Sequence, residues 1–381
     1  MKKPLLSCLA LSASLAIAQE IDKVGGIESD STLNVFELSL EDLMNVSVTV
    51  ASKKAEKLSD APGAITAYTD KDMERLGYYT LADLANITAG YSAFKGIGET
   101  TFETRGQQQS GFDNNKHLVL IDGIPYNHAR ANMALGEENL PLFFAQRVEF
   151  LKGPGSALYG TSAFFGVINV VGKEMQENGT KVESKISAGN HDFNRRVMSN
   201  IYHKSDNGVS RLSFGYFGKD ASNDYLGNGT FTNANALNRD NSTSLFMNGS
   251  HKITKGSLKG LGSGFIYSRK TGGLGEFWMF YQNQNSIINN LTWEQIVPYV
   301  KYEREINNKL TVNSYLKGNL STENAYTQGY QQVINPAYGT LTGSHYNVRV
   351  LDGEFLGEGR YKLAEKTNLI GGVNVVSRHY T

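Results

Sequence analysis

The sequence predicts a small α+β domain, a mixed sheet with short helices, followed by antiparallel transmembrane strands of an incomplete β-barrel. Three observations carry this. Between Arg147 and Val171 two β-prone apolar runs flank a centre with Gly153, Pro154, Gly155, Gly160 and Gly166, which reads as strand, tight turn, one helical turn at Ser156–Tyr159, second turn, strand. From Lys181 onward apolar and polar residues alternate over runs of about ten, separated by Gly/Asn/Asp/Ser clusters, the pattern of amphipathic bilayer-crossing strands. Composition agrees: 40 Gly, 20 Tyr and 18 Phe stand against 7 Pro, and no apolar run is long enough for a membrane helix.

The chain opens with Lys2-Lys3, an apolar run Leu5–Ile17 and the triplet Ala16-Ile17-Ala18, which read as an export signal over residues 1–18 with cleavage near Ala18. The single cysteine, Cys8, lies inside that run, so the exported chain has neither disulfide nor thiolate chemistry. With 37 basic and 37 acidic residues the net charge is zero, and no footprint for nucleic acid is present. Residues 19–60 read as a flexible polar arm. Within it Val46, Ser47, Val48, Thr49 and Val50 alternate Val with Ser and Thr. By its β-propensity such a segment reads as an edge strand.

Residues 61–175 form the α+β domain. Ala64–Tyr68 reads as a strand, and Thr69 with Asp72 and Thr80 with Asp83 have capping-box spacing ahead of two short helices. Leu118–Ile121 is an apolar strand closed by Asp122-Gly123. Two polar stretches look like exposed loops. One includes Gln107, Gln108 and Gln109; the other, Tyr126–Asn139, holds Tyr126, His128, Arg130 and Met133. Residues 176–381 carry about ten candidate strands, among them Val209–Lys219, with Leu212, Phe214 and Tyr216 on one face and Arg211 and Ser213 on the other. Tyr346–Gly353 and Phe355–Leu363 count as two of them. Neither a Gly-rich phosphate loop nor a zinc-protease or serine-hydrolase motif occurs, so no enzyme, cofactor or metal site is expected.

Arg147, Val148, Glu149, Lys152, Gly153, Pro154, Ser156, Ala157, Tyr159, Gly160, Gly166, Val167, Ile168 and Asn169 stand at the spacing of one long motif. That motif resembles the terminal segment of the plug domain of TonB-dependent outer-membrane receptors. Phe102–Gly106 and Leu118–Pro125 resemble two earlier elements of the same domain, in the same order. Two departures bear on packing: Phe164-Phe165 stand where small residues are common, and Gly172 where Thr or Ser is usual.

The resemblance implies a plug inside an outer-membrane barrel, and active uptake of a scarce bulky solute. A ferric siderophore is the leading substrate class, followed by cobalamin, haem or glycan. It implies that residues 46–50 are the box captured by TonB, that the loops of the two polar stretches bind the solute, and that Arg105, Arg147 and Lys152 pair with carboxylates of the barrel. Barrels of this kind have 22 strands, so the chain is expected to be an N-terminal portion of the whole. The alternative reading is a secreted or surface β-rich binding protein or adhesin, with the C-terminal half folded as a soluble sandwich.

Overall fold

The structure is a computed structural model that describes residues 47–50, 53, 56–59, 61, 63–95, 100–107, 114–189, 194–220, 242–273, 288–328, 331–335, 339–342, 345–364 and 367–380. The expected export signal, most of the arm, Val46, Gln108 and Gln109 lie outside these residues.

Strands β1 (Ser47–Val48) and β2 (Glu56–Lys57) pair with each other, and β3 (Ala64–Thr69) leads into helices α1 (Asp70–Leu76) and α2 (Leu81–Ile87). Local chemistry sets the helix ends. Thr69 and Thr80 each accept from the backbone of the residue three ahead, whose carboxylate bonds back, so both expected capping boxes are present. Gly77 ends α1 at φ 69°, a left-handed conformation that glycine adopts without strain.

Next come β4 (Tyr91–Lys95), β5 (Thr100–Thr104), β6 (His117–Ile121), β7 (Ile124–Pro125), β8 (Ala145–Lys152), the helical turn α3 (Ser156–Tyr159) and β9 (Gly166–Gly172). β4 and β5 form their own hairpin; the main sheet has the order β3-β8-β9-β6-β7, with only β6 and β9 parallel. Gly166 is required here: a Cβ would overlap the Tyr91 hydroxyl, which itself bonds the Leu151 carbonyl at 2.9 Å. Phe165, one of the two unusual aromatics, packs edge-on to His117, while Phe164 points outward.

The second half is a sheet of nine strands: β10 (Gly179–Ala188), β11 (Arg195–Lys204), β12 (Gly208–Lys219), β13 (Ser242–Ile253), β14 (Leu261–Gly273), β15 (Ile288–Asn307), β16 (Leu310–Gln328), β19 (His345–Ala364) and β20 (Thr367–Tyr380). Between β16 and β19 a separate hairpin pairs β17 (Gln331–Asn335) with β18 (Gly339–Thr342). Each sheet neighbour is antiparallel, and among the described residues the sheet stays open, with β10 and β20 at its edges. The two candidate strands at 346–363 are one strand, because alternation stays in phase across Glu354: Leu351 and Phe355 face out while Asp352, Glu354 and Glu358 face in.

The wall inverts the usual rule of burial. Val182, Ile186, Ile201, Leu212, Leu316, Leu320 and Leu351 are exposed, whereas Asn200, Arg211, Asn248, Lys270, Gln295, Lys317 and Glu323 are buried. A water-soluble sandwich buries apolar faces; an apolar outside around a polar inside is the arrangement of a sheet surrounded by lipid. The α+β domain lies against the polar side, and one core joins the two. Phe144 stacks on Phe246 of β13 at 5.3 Å, and Ile266, Val297, Tyr299 and Tyr315 of the wall belong to the same cluster.

Candidate functional site

The β-prone segment 47–50 is seated, where the sequence led us to expect a loose arm. The backbone N–H groups of Thr49 and Val50 donate to Glu149 Oε2 at 3.0 and 2.8 Å, and the Thr49 hydroxyl donates to the same carboxylate at 3.0 Å. Glu149 is fully buried in β8 and receives Arg147 Nε at 2.7 Å on its other oxygen. Asn169 of β9 donates to Thr49 Oγ1 at 3.1 Å, and the Tyr159 hydroxyl donates to the Val50 carbonyl at 2.9 Å. Burial, reinforced by the carboxylates of Glu149 and Glu358, pushes the Tyr159 phenol up, so it stays a neutral donor. Val50 itself packs among Leu118, Leu120, Leu151 and Val167. Just beyond, Lys53 pairs with Glu358 of β19 at 2.7 Å and lies 5.0 Å above the Tyr159 ring.

Arg105, Arg147 and Lys152 were expected to meet wall carboxylates. Among the described residues none does. Arg147 is committed to Glu149 in its own strand. Lys152 donates to the Ala89 carbonyl at 3.0 Å, and partial burial together with the neighbouring Arg105 charge lowers its pKa. Arg105 is exposed at φ 53°, in the turn after β5.

The seam is held by other charges. Asp122 pairs with Arg211 of β12 at 2.5 Å, Arg130 with Glu323 of β16, and Glu137 with Lys270 of β14. Sequence reasoning missed Asp122 and Glu137. The available signal was the lumen-facing set of strand residues, in which Arg211 had already been placed.

The stretch expected to be an exposed loop is largely buried in this seam, because polar side chains next to a polar wall find partners there without water. The Tyr126 hydroxyl lies 2.7 Å from both the Asn139 carbonyl and Ser268 Oγ of β14. His128 is fully buried; its Nε2 is 3.3 Å from the carbonyls of Glu294 and Thr322, and its ring meets Trp293 edge-on at 5.1 Å. Burial pulls its pKa down to about 4. Met133 exchanges backbone hydrogen bonds with His128 and packs on Leu291 and Trp293. Of the glutamines, Gln107 is exposed and closes a turn with the Thr104 backbone. Among the described residues no three His, Cys, Asp or Glu side chains gather as metal ligands would.

The profile of the TonB-dependent receptor plug domain matches residues 57–167. A vitamin B12 transporter, BtuB, of Vibrio vulnificus (strain CMCP6) is 28% identical over 173 residues, 44% of this chain and 27% of that protein. BtuB of Vibrio cholerae (El Tor Inaba N16961) is 30% identical over 146 residues, 37% of this chain and 23% of that protein. The pyoverdine outer-membrane receptor FpvA of Pseudomonas aeruginosa PAO1 superposes with a TM-score of 0.64 at 16% identity, over 88% of this chain and 49% of that one. The siderophore receptor PiuA of Acinetobacter baumannii gives 0.60 at 14% identity, over 89% and 49%. The chain thus spans about a quarter of its sequence relatives and half of these structures. Residues 57–167 thus match the plug domain of TonB-dependent receptors, and the chain as a whole shares the fold of these outer-membrane receptor structures.

Proposed function

We propose that this chain is part of an outer-membrane receptor, reached after removal of an export signal near Ala18, that takes up a scarce bulky solute. The plug fills the polar lumen, the apolar face meets the bilayer, and a TonB-type partner captures residues 46–50 by strand addition. No bond is made or broken in the solute. The observation that carries this reading is the seating of 47–50 on Glu149, within a plug whose other contacts join it to the wall.

A partner strand must exchange with that seat. It has to replace the Glu149 bonds to Thr49 and Val50 with main-chain bonds of its own, so seating and capture compete. Arg105 and Lys152 side by side are the cations we propose to meet carboxylates of barrel strands outside this chain, with Arg147 held in reserve by Glu149. Gln107 to Gln109 remain the plug residues proposed to contact solute. Tyr126, His128 and Arg130 act on it only through the seam they hold.

For the solute we propose a ferric siderophore, in keeping with the structural neighbours; the sequence relatives favour cobalamin as a second reading. Calorimetric titration of the receptor carrying this chain with ferric pyoverdine, ferric enterobactin and cyanocobalamin separates the two. For the energised step the test is Val48→Pro. Strand addition uses that N–H, so uptake should fall while solute binding survives, and undiminished uptake removes the box assignment.

A further inference from the structure

The Asp122 turn shows a charge arrangement that plug anchoring does not use up. Asp122 grips Arg211 through one oxygen only, Oδ2 at 2.5 Å from Nη2, because its Oδ1 already accepts the Gly172 N–H at 2.8 Å. Arg211 is buried against the Phe144 ring, and its Nε has no hydrogen-bond partner among the described residues. A guanidinium presents Nε and Nη2 as a fork that fits both oxygens of a carboxylate or phosphate, and here half of that fork is unspent. The room for it comes from Gly172, since a Cβ there would overlap the Arg211 guanidinium. A second cation adds to the first: Lys301 Nζ reaches the Asp122 carbonyl at 3.3 Å. Beside Asp122 and Lys301 opens a cavity of ≈ 470 Å³ between plug and wall, lined by these two with Lys252, Asn313 and Tyr315 among others. Its volume is within the range of small-molecule sites.

We propose that Arg211 and Lys301 form an oxyanion seat on the barrel wall, occupied at rest by Asp122 and taken over by an acidic group of the passing solute when the Asp122 turn withdraws. Asp122 is then a tethered stand-in for a carboxylate or phosphate, and the adjoining cavity is the space in which the exchange occurs. The role in passage rests on the uptake reading; the seat itself does not.

The test uses the whole chain folded in detergent, with Asp122→Asn to remove the stand-in charge and keep its shape. Thermal unfolding is followed in inorganic phosphate, in citrate and in chloride at matched ionic strength. The expected result is a midpoint raised by about 2–4 °C in phosphate and in citrate for Asp122→Asn. The parent chain should not respond, nor should Asp122→Asn combined with Arg211→Gln. A response to phosphate but not to citrate overturns the solute part, because the seat then admits free ions and no bulky acid. An equal response in the parent or in the double variant, or none in Asp122→Asn, overturns the seat. Should Asp122→Asn fold poorly, its folding yield in phosphate against chloride reads the same binding: higher in phosphate supports the seat, equal overturns it. Loss of the seat leaves the Val48→Pro experiment untouched, so the two failures are distinguishable.

Discussion

A carboxylate with no exposure to water must fill its lone pairs from the protein, and Glu149 fills them from the segment whose release the uptake reading requires. Two backbone N–H groups, a hydroxyl and the Arg147 guanidinium converge on it. Hydrogen bonds to a charged acceptor are worth roughly 1.5–3 kcal/mol each against about 1 for neutral ones. Glu149→Gln keeps the shape but removes the charge and turns one acceptor into a donor facing an N–H. The expected outcome is a roughly 10–100-fold loss of hydrogen-exchange protection at the Thr49 and Val50 amides, about 1.4–2.8 kcal/mol, with the β8–β9 ladder unchanged. Capture by the partner should tighten by the same factor, because a competing state has been weakened. Unaltered protection would mean that Val50 burial and the Tyr159 bond hold the segment without Glu149.

At the scale of elements, what was legible in the sequence followed from local rules. Thr80 precedes α2, accepts the Asp83 N–H at 3.3 Å and donates to its carboxylate at 2.8 Å, which the spacing alone announces. Thr80→Ala should lower plug stability by about 1 kcal/mol in thermal unfolding, and Thr80→Ser should restore most of it. Gly166→Ala should cost more, about 1–3 kcal/mol, since Tyr91 must leave the Leu151 carbonyl to admit the methyl group. The alternation of the wall was legible too, but it names only a face. It shows that Arg211 looks inward, not which plug residue stands at its height. That is why Tyr126, His128 and Arg130 read as loop: a polar run beside an aqueous phase and one beside a polar wall have the same composition. The split of β19 at Glu354 had a related cause, because an inward charge in a lipid-facing strand looks like a turn signal when the lumen is not considered.

Across the whole molecule, two histidines that never meet water make plug stability depend on pH. His117 sits among Tyr91, Phe102 and Phe165 with Thr104 Oγ1 2.6 Å from its Nε2, and burial pulls its pKa down to about 3. His128, in the seam, falls to about 4, chiefly through burial and further through the Arg130 charge. Its Nε2 faces two carbonyls and therefore carries the proton, so acid would have to charge Nδ1. Both folded values lie below the ordinary 6.5. The stability these neutral rings contribute is complete above pH 6.5 and is lost as pH falls, because the unfolded chain takes up protons that the folded chain refuses until about 4 and about 3. Asp122 is different. Burial would raise its pKa, but Arg211, Lys301 and the Gly172 N–H outweigh that and hold it below the usual carboxylate range, so its contribution persists until stronger acid. Between pH 6.5 and 4.5 the slope should therefore come from the histidines, about 1.4 kcal/mol per pH unit for each. Denaturant unfolding of the chain in detergent at half-unit steps measures it. His117→Phe should halve the slope and leave the seam pairs in place, whereas an unchanged slope would assign the acid sensitivity to other groups.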